Sequence, residues 1–424
     1  MLLIRNAIVV GPRGPEKSDI FIVKDRIVEV APELTQPSGV VTVEANGHLA
    51  LPGLVDIHVH LREPGGEYKE DSYSGTQAAL AGGVTTVLGM PNTTPPITDE
   101  AVLQTTLGLA AKKAVCDYGL YLGATRDNVT TAPRIRDAVG LKLYMGPGDG
   151  RLLLSRFEDQ YAHLKAYPSD RVLAVHAENA EAVHYFARQG QHRPPLCAAL
   201  ETARAIWMAQ SVERPIHICN LSTGQEIQMV KEAKERGERV TCEVTPHHLL
   251  LSSEIEQHLG TLGHIIPPLR RAEDVAALWD NLKYVDVITS DHSPHTLGEK
   301  NSPDPLPGVP GLETMLPLLL TTVRQQLLSL TDLVRLTATG PAKLFGLERK
   351  GRLAPGYDAD IVLVNPEALW TISGKNLLTR CGWTPFEGWR TWGKVERVYL
   401  RGKLAYADGK VVAKPGSGRQ VRQV

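Results

Sequence analysis

The chain lacks any charge bias: 46 lysines and arginines oppose 47 aspartates and glutamates over 424 residues, and no basic run stands out. Neither a nucleic acid nor a membrane surface is therefore expected as a partner. Apolar runs fall short of the roughly 18 residues that would cross a bilayer. The early run Met1–Val10 is broken by Arg5 and followed by no small-residue cleavage site, so it predicts a strand rather than a signal peptide. Cysteine is scarce: Cys116, Cys197, Cys219, Cys242 and Cys381 are odd in number and form no CxxC pair, which argues against a disulfide framework. A reducing cytoplasm is expected. No internal repeat or low-complexity tract is evident. With 42% hydrophobic and 22% charged residues the composition is that of a globular protein, long enough for a barrel of about 250 residues plus an accessory domain.

Residues 1–50 hold short β-type runs, Leu2–Val10, Asp19–Val30 and Val40–Val43, parted by Gly/Pro turns. From 51 to 345 the pattern becomes apolar β-branched runs alternating with helical periodicity. The runs are Gly53–His60, Val84–Pro91, Cys116–Ala124, Val139–Met145, Arg171–Glu178, Pro215–Leu221, Val240–His247 and Val285–Asp291. Between them lie the amphipathic segments Ser72–Ala81, Ala101–Lys113, Ser155–Ala166, Gln225–Arg236 and Ala272–Leu282. Eight strands apolar on both faces, with helical crossovers, predict an α/β fold of the TIM-type (β/α)8 barrel kind, with its site at the C-terminal strand ends. The β-rich residues 346–424 are expected to join residues 1–50 in a small β-sandwich built from both termini. The stretch Lys414–Val424 is expected to fray.

One stretch concentrates chemistry. In His58-Val-His60-Leu-Arg62 an extended strand would project both imidazoles and the guanidinium from one face, at spacings of roughly 7 Å. A single buried histidine is more often a hydrogen-bonded core residue; two on one face at a strand end, followed by an arginine, suit a metal with an anion beside it. Lys142 lies on the fourth run, and other polar residues fall at strand ends too: Asn92, His176, His217 to Asn220, Glu243 to His248, and Asp291 to His295. Lys142 sits in apolar Leu141-Lys-Leu-Tyr, where an unpaired ammonium is costly to bury, so a modified or liganded lysine is favoured. Asn92 would read as a turn residue about as readily as a ligand. His247 and His248 are assigned no direct role, and Gly356–Asp360 reads as a structural turn.

These residues together resemble the amidohydrolase superfamily and, within it, the dihydroorotases, most closely the dihydroorotase module of animal multifunctional pyrimidine enzymes. The resemblance is carried by Asp56-Ile-His-Val-His-Leu-Arg-Glu-Pro-Gly-Gly66, Gly89-Met-Pro-Asn-Thr-Thr-Pro-Pro96, Gly140-Leu-Lys-Leu-Tyr144, Val175-His-Ala-Glu178, Val240-Thr-Cys-Glu-Val-Thr-Pro-His-His248, Ser290-Asp-His-Ser-Pro-His295 and Gly308-Val-Pro-Gly-Leu-Glu-Thr314. It implies that His58, His60 and Asp291 hold one Zn²⁺, that Lys142 as an N-carboxylated lysine bridges to a second, and that His176 binds that second ion. It further implies Asp291 as the catalytic acid-base group, Arg62, Asn92 and His295 as the grip on a substrate carboxylate, and backbone contacts from Pro307 and Gly308. The implied reaction is reversible cyclisation of N-carbamoyl-L-aspartate to L-dihydroorotate in pyrimidine biosynthesis. A homodimer is the family expectation, with association with aspartate transcarbamoylase as a further one.

Three departures qualify the resemblance. Asn220 stands where the family has a histidine ligand of the second metal, and an amide oxygen is a poorer zinc donor than imidazole; one or two zincs per chain are expected, the second held weakly unless Cys219 or Glu243 helps. His217 cannot replace it, because an odd offset turns it to the opposite face. Ile266 replaces a polar residue that reaches the substrate in relatives. The loop Gly146–Gly150 is glycine-rich, and its Asp149 is an alternative metal bridge to Lys142. Two other readings follow: another cyclic amidohydrolase of the hydantoinase or allantoinase type, or a weakly active homologue that partners the transcarbamoylase.

Overall fold

The computed structural model describes residues 1–148 and 152–422; Asp149 lies outside the described residues. Eight runs in the central part of the chain form parallel strands where the sequence predicts them. In order they are Leu54–Val59, Val84–Gly89, Asp117–Leu120 continued as Leu122–Gly123, Gly140–Tyr144, Val172–His176, Ile216–Ile218, Val240–Val244 and Val287–Ile288. Each pairs in parallel with the next. A parallel bridge between Val59 and His292, with the His60 N–H donating to the His292 carbonyl at 2.8 Å, joins the first run to the segment after the eighth and closes the barrel. Strands one, two, four and five are buried at every position, which is why their sequences run apolar without alternation.

The crossover helices begin at side-chain caps. Asp71 opens Ser72–Ala81 and Thr223 opens Gly224–Glu235, each in a capping box that satisfies otherwise orphaned N–H groups. The helices Ala180–Arg188 and Pro195–Ser211 went unrecognised in the sequence, where a Gly/His/Pro-rich link obscures their period.

Strands from both ends of the chain share a nine-stranded sheet, in which Leu2–Gly11 pairs with Leu49–Pro52 and Leu49–Pro52 in turn pairs with Ile361–Thr371. The two parts are clamped together by charge. The buried Lys350 ammonium donates to Asp117 on barrel strand three and to Asp360, both at 2.6 Å, and Asp117 also pairs with Arg401. The segment expected to fray instead docks here: the Arg419 N–H donates to Asp117 at 2.8 Å, and Gln420 bridges Tyr118 on the barrel strand. Free N–H groups at a strand edge and a buried carboxylate outweigh the entropy of a polar tail. Asp117→Ala would leave the Arg401 guanidinium buried without this partner. A loss of about 3 kcal/mol of stability is expected, to be read from urea unfolding.

Between Ile361–Thr371 and Arg390–Leu400 the chain leaves the sheet and crosses the barrel top. There Trp383 and Phe386 pack with Leu251, Ile265, Leu269 and Val309, and the Trp383 indole N–H donates to the His295 carbonyl at 2.6 Å.

Candidate active site at the barrel mouth

A cavity of about 590 Å³ opens at the C-terminal ends of the barrel strands. His58, His60, Lys142, His176, Asn220, Asp291, Arg62, Asn92, His295, Pro307 and Gly308 all line it, together with Ile266. Residues scattered over some 250 positions of sequence thus converge on one volume because they follow or end parallel strands or, like Lys142, lie within one. Arg62 arrives differently from the strand expectation. The first strand ends at Val59 and Arg62 adopts a left-handed conformation, φ 62°, so it turns into the cavity rather than extending there. Asn220 (φ 41°) and Asp291 (φ 44°) are left-handed too, a backbone state that costs energy in non-glycine residues and gathers at functional sites.

His58, His60 and Asp291 form a compact cluster. Ligand atoms of the three lie within 4.8 Å of one another, and Asp291 Oδ1 is 3.4 Å from both Nε2 atoms. Behind His58, Glu243 takes its Nδ1 in a short contact and also accepts from His217 at 3.0 Å. A carboxylate behind a ligating imidazole orients the ring and increases its basicity. Burial alone would lower His58, but Asp291 and Glu243 outweigh it and hold it up at about 10, so the cluster favours positive charge at this point. Burial, reinforced by Arg62, lowers His60 to about 4, which leaves it the neutral donor a cation requires. The donor set and its charge therefore fit a divalent metal.

The second half-site is thinner. Lys142 is fully buried with its Nζ 2.8 Å from Cys219 Sγ, and among the described residues no carboxylate forms an ion pair with it. His176 meets Asn220 Oδ1 at 3.2 Å, while Asn220 Nδ2 donates to Asp291 at 3.0 Å, so the amide spans the two half-sites. Cys219, with His58 and Glu243, forms a further group of close ligand atoms. His217 faces Glu243 and Thr241, away from the cavity.

Opposite the cluster, Arg62 donates to Ser293 Oγ and the Pro294 carbonyl and its Nη2 lies 3.0 Å from His295 Nε2, while Asn92 Oδ1 lies 2.6 Å from His60 Nδ1. The sequence reading gave no role to His247 or Lys69, and named Glu243 only as a possible aid to the second metal. His247 lines the cavity, although its neighbour His248 is consumed by Thr245 and the Pro267 carbonyl. Glu243 was legible only as an acid inside an apolar strand, and Lys69 carried no signal.

A closed parallel barrel bearing a histidine–aspartate cluster at its C-terminal mouth defines the class of metal-dependent TIM-barrel hydrolases. The chain belongs to the amidohydrolase family, which it matches over residues 49–405. It is 44% identical over 377 residues, 88% of its length, to "Multifunctional protein CAD" of Squalus acanthias, of which it spans 16%. It is 39% identical to the "Dihydroorotase" of Pyrococcus furiosus over 89% of this chain and 86% of that protein, and 34% identical to that of Methanosarcina acetivorans over 98% and 94%. Among solved structures it is similar to the L-hydantoinase of Arthrobacter aurescens, with TM-score 0.94 and 25% identity over 99% of both chains. The dihydropyrimidinase of Brevibacillus agri superposes with TM-score 0.90 at 28% identity, over 99% of this chain and 98% of that one. Among the described residues no helix is long and apolar enough to cross a membrane.

Proposed function

We propose that this chain is a dihydroorotase, interconverting N-carbamoyl-L-aspartate and L-dihydroorotate by closing or opening a cyclic amide in pyrimidine biosynthesis. The observation that carries this reading is the pairing, in one cavity, of the His58–His60–Asp291 cluster with Arg62 and His295. A planar guanidinium suits a carboxylate, and the dihydroorotate ring bears one where hydantoins and allantoin have none.

His58, His60 and Asp291 would hold one zinc; Lys142, N-carboxylated, would bridge to a second beside His176 and Asn220. Bound zinc would polarise the scissile carbonyl and make water a nucleophile near neutral pH. Asp291 accepts the proton of the attacking water in the hydrolytic direction and returns it to the departing ring nitrogen. Arg62, Asn92 and His295 hold the substrate carboxylate, and the backbone at Pro307 and Gly308 flanks the ring. The same reading treats residues 51–345 as the catalytic barrel and 1–50 with 346–424 as the accessory domain. It extends to a cytoplasmic location, which the five free cysteines suit, and to a homodimer and association with aspartate transcarbamoylase.

The likeness to hydantoinases and the apolar Ile266 at the cavity wall favour a second reading, a hydantoinase-type hydrolase. Assaying dihydroorotate, hydantoin and allantoin side by side separates the two. Turnover of the last two without the first would sink the dihydroorotase reading.

Asn220 makes the second metal the weaker one. Asn220→His is expected to raise second-zinc affinity at least about 10-fold, since even outer-shell changes reach that size. Zinc titration against a chelator measures it, and unchanged affinity would show that the amide is not limiting.

A further inference from the structure

We propose that Lys69 is a positioning residue that sets the tautomer of His295, turning its Nε2–H into the cavity to form, with the Arg62 guanidinium, a joint donor pair for the substrate carboxylate. The inference rests on the dihydroorotase reading for its ligand, but its first observable does not need turnover.

The argument starts from valence. A neutral imidazole carries one N–H and one lone pair, whereas ammonium and guanidinium groups can only donate. His295 meets a pure donor at each ring nitrogen: Lys69 Nζ lies 3.1 Å from Nδ1, and Arg62 Nη2 lies 3.0 Å from Nε2. Both contacts cannot be satisfied at once. Burial, then Arg62 and Lys69, depress His295 to about 2, so protonating the ring offers no escape.

The nitrogen left without an N–H is Nδ1: against Arg62 bonds of 3.2 and 3.3 Å to the Pro294 carbonyl and Ser293 Oγ, Lys69 is held by a shorter bond to a charged group. It is buried, and its ammonium is anchored to Glu299 Oε1 at 2.8 Å. That same oxygen accepts from Tyr68 at 2.5 Å, and Glu299 caps the Thr296 N–H at 2.9 Å. The His295 main chain is fixed in turn by the Trp383 indole. With Nδ1 accepting from Lys69, the proton sits on Nε2, facing Arg62 across the cavity edge. Two donors face each other there, and a carboxylate oxygen placed between them satisfies both.

Removing Lys69 would free the alternative. Glu299 Oε2 lies 3.5 Å from Nδ1, close enough to accept from an Nδ1–H once the ammonium is gone. The ring would then present its Nε2 lone pair to the substrate carboxylate, replacing attraction with repulsion.

The test uses the metal-loaded enzyme labelled with ¹⁵N-histidine, with the His295 resonances assigned by their loss in His295→Asn. In the wild type Nε2 is expected to show the protonated shift and Nδ1 the unprotonated one; the opposite pattern overturns the proposal even if no Lys69 variant folds. In Lys69→Met the two are expected to exchange. KM for dihydroorotate should rise about 10–100-fold, the size of a lost hydrogen bond to a charged group, with kcat changed far less. Lys69→Arg, which keeps a donor, should restore most of the KM. A folded, zinc-replete Lys69→Met with unchanged shifts or unchanged KM overturns it. If the wild type does not turn over dihydroorotate, the functional reading fails separately, while the nitrogen shifts still decide the tautomer.

Discussion

Replacing Asp291 by asparagine is expected to lower kcat/KM by about 1,000-fold or more, within the range by which a positioned acid-base group accelerates proton transfer. Burial opposes ionisation of Asp291, but His58 and His60 beside it hold its carboxyl well below the usual range, so it stands ready as a base at neutral pH. The amide keeps the shape and the hydrogen bond to Asn220, yet cannot take the proton of the attacking water. A catalyst cannot alter the equilibrium constant, so kcat/KM for ring closure and for ring opening must fall by the same factor. Measuring both directions, with zinc content alongside, checks the prediction. A variant that retains both zinc and substantial turnover would remove Asp291 from the proton path.

Lys142→Ala is the second large effect. Lys142 is buried on barrel strand four, where among the described residues the Cys219 thiol is its polar partner and no carboxylate pairs with it, an arrangement costly for an ammonium. Addition of CO₂ to the neutral amine replaces that cation with an anionic oxygen pair on a long stem, which a bridge between two metals requires. Truncation removes the stem, and a loss of more than about 100-fold in activity is expected, since even outer-shell partners of metal ligands cost up to that much. Second-zinc stoichiometry should fall in parallel, and the wild type should reconstitute slowly in CO₂-depleted buffer. Reconstitution indifferent to bicarbonate would instead favour a bridge that is not a carbamate, such as Asp149.

Legibility in the sequence followed the range of the interaction. The eight strands were readable because burial on both faces leaves a local mark, a continuous β-branched run such as Val84–Gly89. Helices with clean caps were equally plain, and Ser72–Ala81 falls where its period places it. The tail was misread because its polar composition shows none of its partners: Asp117, which takes the Arg419 N–H, lies 302 residues earlier. Lys69 was invisible for the same reason, being one charged residue in a charged loop until barrel closure brings His295 to it, 226 residues on.

The sequence by itself determined that an apolar strand running into His58-Val-His60 opens a barrel, that Lys142 sits in an apolar strand, and that polar residues crowd the strand ends. Each of these is a matter of neighbours one to four positions apart, where backbone period alone sets direction. Only the tertiary structure decided that Glu243 stands behind His58 across 185 residues, that the Asn220 amide spans both half-sites, and that Arg62 reaches the cavity through a left-handed turn. Those arrangements depend on closing the sheet on itself, which sets every strand end around one axis, and no local pattern encodes which distant side chain will then lie opposite.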